Sequence, residues 1–131
     1  MFNCTKNAYP IIFLGFLFIV VQSNSQNEII NKCLDKNNIS KNQYEKLIKH
    51  GIMDTEIGNI ERKFKCFMHC VVNEMGVLGS DGYLNMKQLD SLGELRDTDR
   101  ITFRKCNKLY HREADACEYV SNIITCFIAE Q

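Results

Sequence analysis

The sequence lacks the features of a nucleic-acid-binding protein, a membrane-spanning protein and a β-sheet protein. Its 16 Lys and Arg residues balance its 16 Asp and Glu residues, so no net positive charge attracts nucleic acid or an anionic membrane. The longest apolar run covers residues 11–21, whereas a membrane-spanning helix needs roughly 20 residues. No segment alternates apolar and polar residues between turn signals, and the single proline, Pro10, precedes every predicted helix. These absences favour a helical protein with no nucleic-acid partner.

The apolar run is typical of a secretory signal peptide. Lys6 precedes the run, which ends in small and polar residues. We expect a signal peptide over residues 1–25, cleaved after Ser23 or Ser25, and a mature helical domain over residues 26–131. An uncleaved membrane anchor is the alternative, and it is disfavoured because nothing downstream resembles a stop-transfer signal. The mature protein is therefore expected to be secreted and extracellular, without stable insertion in a membrane.

Cysteine is the most informative residue type in this chain. One of the seven cysteines, Cys4, falls in the expected signal peptide, and the even number that remains predicts three disulfides in a secreted protein. Zinc is the competing use of the thiols, and the gap between Cys66 and Cys70 would suit it, but no second close pair completes four ligands. Cys117 and Cys126 lie on opposite sides of one predicted helix and so need different partners. We expect no metal and no cofactor, and the residues alone leave the pairing open.

Helix signals divide the mature chain into five or six helices, the first over residues 27–34. Ser40 and Gln43 have the spacing of a capping box, and Ile39 and Tyr44 have that of a hydrophobic staple. The later boundaries follow from caps, glycines and the 3.6-residue period of the apolar positions. These helices run from Ser40 to Gly51, from Ile60 to Met75, from Asn85 to about Leu92, from Asp97 or Thr98 to Tyr110, and from Asp115 nearly to the end, with a turn at residues 79–82.

No catalytic set is present in the sequence. The mature cysteines are all assigned to disulfides, and there is no glycine-rich phosphate loop and no His-Glu-x-x-His motif. His50 and His111 stand near predicted helix ends, where the helix dipole favours a cation, and His69 shares its helix face with polar residues. We therefore read His50 and His111 as helix-end side chains and His69 as a solvated one, and we expect no enzyme activity.

The cysteine order and spacing are distinctive. Cys66 and Cys70 are separated by three residues, and Cys117 and Cys126 by eight. A long gap follows Cys33, another precedes Cys106, and ten residues separate Cys106 from Cys117. Residues 65–78, followed by Asp81-Gly82-Tyr83-Leu84-Asn85, have the pattern of a cysteine-bearing central helix and the turn after it. In these features the whole mature chain resembles the insect pheromone- and general-odorant-binding protein family.

The resemblance implies an all-α, compact bundle of five to six helices, stapled by three disulfides around an apolar cavity. The implied pairs are Cys33–Cys70, Cys66–Cys117 and Cys106–Cys126. Helical periodicity identifies the inward-facing apolar side chains but does not distinguish a filled core from a hollow one. The candidate ligand-binding residues are Met68, Val71, Leu84, Leu89, Phe103, Tyr110, Val120, Ile123, Ile124 and Phe127. A tyrosine hydroxyl from Tyr83, Tyr110 or Tyr119 is the candidate polar anchor.

By the same resemblance, the expected function is that of a secreted carrier. It would bind small hydrophobic molecules such as odorants or pheromones and deliver or sequester them, with a membrane chemoreceptor or a second copy of the chain as further candidate partners. The alternative is a disulfide-stapled signalling or venom protein that acts through its surface. Separately, Asn38-Ile39-Ser40 is a glycosylation sequon, so Asn38 is a candidate modification site.

Overall fold

The computed structural model describes residues 24–50, 61–93 and 95–130, and within them it contains six α-helices. The all-α fold and the number of helices predicted from the sequence are confirmed. In the described ranges the extended pairing is limited to an isolated antiparallel bridge between Leu78 and Leu84. The helices are α1 (Asn24–Lys36), α2 (Lys41–His50), α3 (Arg62–Glu74), α4 (Met86–Ser91), α5 (Asp97–Tyr110) and α6 (Ala116–Ala129).

Local hydrogen bonds form the junction between α1 and α2. Helix α1 is longer than predicted and starts at Asn24, so a cut after Ser25 would fall in its first turn. Between α1 and α2 the predicted capping box is confirmed: the Ser40 amide donates to Gln43 Oε1 at 3.0 Å, and the Gln43 amide donates to Ser40 Oγ at 3.1 Å. Most of the predicted signal peptide, and Gly51, lie outside the described residues.

Helix α3 and the loop after it position the middle of the chain. Its described start is Arg62, and Ile60 lies outside the described residues. The helix ends where Gly76 takes a φ of 80°, which is the left-handed conformation that favours glycine. The predicted turn at 79–82 is present, with Gly82 at a φ of 85° and Asp81 Oδ1 accepting a hydrogen bond from the Tyr83 amide at 3.0 Å.

Side-chain caps start α4 and α6, and a carboxylate within the first turn stabilises the start of α5. Asn85 Oδ1 accepts from the Gln88 amide at 3.2 Å, and Asp115 Oδ1 accepts from the Glu118 amide at 3.0 Å, as their positions in the sequence predict. Helix α5 begins at Asp97, but the capping residue is Arg96, whose amide donates to the carboxylate of Asp99 at 3.2 Å.

Helix α6 is the centre of the packing. It lies against α3 on one flank and α5 on the other, and α1 packs on α3. One disulfide reinforces each contact: Cys33–Cys70 joins α1 to α3, Cys66–Cys117 joins α3 to α6, and Cys106–Cys126 joins α5 to α6. These are the pairs that the family resemblance implies. Each bridge closes a long loop in the unfolded chain, which contributes about 3–4 kcal/mol in the chain-entropy model.

Candidate functional site

The apolar interior lies where α1, α3 and α6 meet, with contributions from α5 and the 78–84 loop. Eight of the ten candidate wall residues converge here. Four of them are buried, with at most 4 % of their surface exposed: Met68, Val71, Val120 and Ile123. Another four are partly buried and pack against the same core: Leu84, Phe103, Tyr110 and Ile124.

The other two candidates are placed differently. The Phe127 ring stacks on Phe103 with 4.1 Å between ring centroids, so it joins the edge of the interior through α5. Leu89, on α4, is 3 % exposed but stands apart from the cluster that the other residues share. Leu89 is therefore the candidate that the structure does not bring to the common interior.

The N-terminal helices line the interior as well, which the sequence reading did not include among the wall residues. Ile30 and Leu34 of α1 are buried in the cluster, four residues apart on one helix face, and Ile39 follows them. On α2, Tyr44 packs against the cluster with its ring edge-on to Phe67, at 5.6 Å between centroids. The i, i+4 spacing of Ile30 and Leu34 is the signal that could have identified them.

Among the three candidate anchors, Tyr119 is already committed to the protein. It is 1 % exposed, its hydroxyl donates to Asn107 Oδ1, and the same oxygen accepts from the Leu84 amide at 2.9 Å. Burial raises the pKa of the phenol. Since the single hydroxyl proton is used within the protein, Tyr119 serves to tie the 78–84 loop to α5 and α6.

The other tyrosines differ in how their hydroxyls are satisfied. The Tyr83 hydroxyl donates to the Glu113 carbonyl over a long 3.5 Å, while its ring packs on His111 and on the edge of Tyr119. Tyr110 is partly buried against the core, and no described residue forms a hydrogen bond with its hydroxyl. Tyr44 is in the same situation, and burial raises the pKa of its phenol.

Helix α6 also buries two hydroxyl groups that interrupt its apolar stripe. Ser121 is 2 % exposed and Thr125 is 4 % exposed, one turn apart on the same face. Thr125 Oγ1 donates to the Ser121 carbonyl at 2.9 Å, which satisfies that hydroxyl within the helix. Because both residues are polar, the sequence gave no indication that this face of α6 would be buried.

Charged residues at the α3–α6 contact surround the Cys66–Cys117 bridge. Lys65 Nζ lies 2.9 Å from Glu118 Oε1, and Arg62 Nη2 lies 2.8 Å from Asp115 Oδ2. The pKa of Asp115 is lowered, first by the hydrogen bond from the Glu118 backbone and then by Arg62. These pairs hold the amino-terminal ends of α3 and α6 together.

Neither His69, His111 nor Asn38 is part of the interior cluster, although the His111 ring packs on Tyr83 at its edge. His69 is half-buried rather than solvated, and burial, followed by the charge of Lys36, lowers its pKa. His111 caps the end of α5, and the side chain of His50 is outside the described residues. Asn38 is exposed between α1 and α2 with a φ of 55°, so a glycosyltransferase could reach it.

The described residues form neither a metal-binding cluster nor a membrane-spanning helix. Within these ranges, no three His, Cys, Asp or Glu side chains come together in a way that could hold a metal ion. None of the helices seen in the described part of the chain has the length and apolarity to cross a bilayer.

One family model and two known proteins match this chain. A family model described as the PBP/GOBP family matches residues 19–130. The general odorant-binding protein 57c of Drosophila melanogaster is 33 % identical over 98 residues, which cover 74 % of this chain and 66 % of the relative, just under two thirds of its length. The general odorant-binding protein 57e of the same organism is 27 % identical over 118 residues, covering 88 % of this chain and 82 % of the relative. No solved structure gives a significant match.

Proposed function

Since this chain belongs to the PBP/GOBP family, we propose that it is a secreted carrier that binds small apolar molecules in the interior between α1, α3, α5 and α6. The observation that carries the proposal is the convergence of apolar side chains from separate helices on one cluster. Several of these side chains, Phe103, Tyr110 and Ile124 among them, are only partly buried, so they offer apolar surface that a ligand could cover.

The energetics suit a ligand of modest size. Covering about 300 Å² of apolar ligand surface at ~25 cal/mol/Å² contributes roughly 7 kcal/mol before ordering costs. Micromolar affinity needs about 8 kcal/mol, so one hydrogen bond of about 1 kcal/mol brings the total into that range. The hydroxyls of Tyr110 and Tyr44 are the groups available for it, which favours ligands that carry an alcohol, aldehyde, acid or ester group.

The test is displacement of a fluorescent apolar probe, N-phenyl-1-naphthylamine, from the purified mature protein. We expect the probe to bind with roughly micromolar affinity and to be displaced by small lipophilic alcohols and esters. Ile124→Trp and Val120→Trp enlarge side chains in the interior and should weaken probe binding at least tenfold. Ile101→Trp is the matched control, because Ile101 is 63 % exposed on the outside of α5.

Two results would count against the carrier. If the interior variants keep their helical circular dichroism and bind the probe as the Ile101 control does, the ligand does not occupy this interior. If neither the wild-type protein nor any variant binds the probe, a signalling protein that acts through its surface becomes the better reading. Mass spectrometry of the native secreted protein adds an independent readout, since a carrier should retain a small molecule that extraction with organic solvent releases.

A further inference from the structure

The outer face of α5 combines exposed aliphatic and cationic side chains. Ile101 and Leu109 are each 63 % exposed, although both are fully apolar. At 100° per residue they lie on one side of the helix, together with four exposed cations, within an arc of about 140°. The members of this set, called the α5 outer face below, are Ile101, Arg104, Lys105, Lys108, Leu109 and, just beyond the helix end, Arg112.

The charge of the α5 outer face departs from that of the whole chain. Residues 97–112 hold five Lys and Arg residues against two Asp residues, whereas the full sequence is balanced. Both acids are engaged at the amino-terminal end of the helix, Asp97 with Arg100 and Asp99 with Arg96. On the outer face itself, Lys105 pairs with Glu130. Among the described residues no ion pair forms to the other three cations, Arg104, Lys108 and Arg112.

Three kinds of partner would meet this face differently. A second copy packed face to face would bring cations against cations, which is unfavourable. A soluble polyanion would satisfy the cations but leave Ile101 and Leu109 in water. An anionic lipid surface accommodates both groups, because aliphatic side chains enter the boundary between headgroups and acyl chains while Lys and Arg contact the phosphates. We infer that the α5 outer face docks the protein reversibly on an anionic lipid surface.

Docking of this kind requires no rearrangement of the fold. The opposite side of α5 stays packed, since the buried Cys106 is bonded to Cys126 and Phe103 stacks on Phe127. The helix would lie flat on the lipid along about 21 Å. The interior cluster then stands one helix diameter, about 10 Å, from the lipid. The docking itself does not depend on whether that interior holds a ligand.

Sedimentation with lipid vesicles tests the inference on the full mature protein. We expect binding to vesicles of equal parts phosphatidylglycerol and phosphatidylcholine, no binding to pure phosphatidylcholine, and weaker binding as salt rises from about 0.05 to about 0.5 M. The double variant R104Q/K108Q should lower the partition coefficient by about 10- to 30-fold. The double variant I101S/L109S should lower it by about tenfold or more.

The matched control removes the same charge elsewhere. Lys41 and Lys46 are exposed on α2, so K41Q/K46Q should change partitioning by less than about threefold. Absence of binding to the anionic vesicles by wild-type protein would overturn the inference. An effect of R104Q/K108Q with none of I101S/L109S would also overturn it, because the cations would then bind anions without burial of the aliphatic side chains, as they would bind a soluble polyanion. A concentration-dependent dimer lost in I101S/L109S would indicate a second copy instead. Probe displacement in solution should be unchanged in all of these variants, which separates this inference from the carrier proposal.

Discussion

Removing one hydroxyl group, in the variant Tyr119→Phe, should destabilise the protein without emptying its core. The ring stays in place, but the Leu84 amide loses an acceptor at 2.9 Å and Asn107 Oδ1 loses a donor. Tyr119 is 1 % exposed, so water has little access to the site of the missing oxygen. An unsatisfied polar group in a buried place costs about 1–3 kcal/mol. With two groups left in that state, we expect the free energy of unfolding to fall by about 2–4 kcal/mol.

The measurement is urea and thermal unfolding followed by far-ultraviolet circular dichroism. At about 4–5 °C per kcal/mol for a domain of this size, the midpoint temperature should fall by about 10 °C or more. Hydrogen exchange gives a local readout, because the Leu84 amide should lose protection before the amides of α6 do. Tyr83→Phe is the matched control: its hydroxyl makes only a 3.5 Å contact with the Glu113 carbonyl, so its loss should cost under about 0.5 kcal/mol.

Two outcomes would refute this reasoning about Tyr119. A loss of less than about 1 kcal/mol, with Leu84 still protected, would mean that the hydroxyl does not hold the 78–84 loop in place. A large loss of probe affinity in a variant that remains folded would mean that Tyr119 contacts the ligand directly. In contrast, Tyr110→Phe should leave stability nearly unchanged and weaken ligands that carry a hydroxyl or carbonyl group.

Three further predictions concern pH, the loop glycine and processing. Burial lowers the folded-state pKa of His69 below its unfolded value near 6.5, so the unfolded chain binds the proton first as the pH falls. The free energy of unfolding should therefore fall as pH drops from 8 to 5, and urea unfolding should show a smaller pH dependence in His69→Gln. Gly82→Ala forces a Cβ into a φ of 85° and should cost about 1 kcal/mol in thermal unfolding, whereas Gly93→Ala, where nothing crowds the new Cβ, should not. Intact-mass analysis of the secreted protein should find a start after Ser23 or Ser25, and a mass shift on glycosidase treatment would show that Asn38 carries a sugar.

The sequence by itself determined the parts of this protein that depend on neighbouring residues. Ser40 and Gln43 form the expected reciprocal pair, and Asn85 and Asp115 cap the helices that follow them. A capping bond joins residues three apart, so the spacing alone identifies it. The left-handed φ of Gly82 is local in the same way. Periodicity likewise identified the inward faces of α3 and α6.

Only the tertiary structure decided what each helix face meets. Ser121 and Thr125 are polar, yet they are buried because α6 lies between α3 and α5 and is covered on most sides. Ile101 and Leu109 are apolar, yet they are exposed because no described helix packs on the outside of α5. Tyr119 bonds to Leu84, a residue 35 positions away. Such contacts join residues that chain folding brings together from distant positions, and helical periodicity carries no information about them.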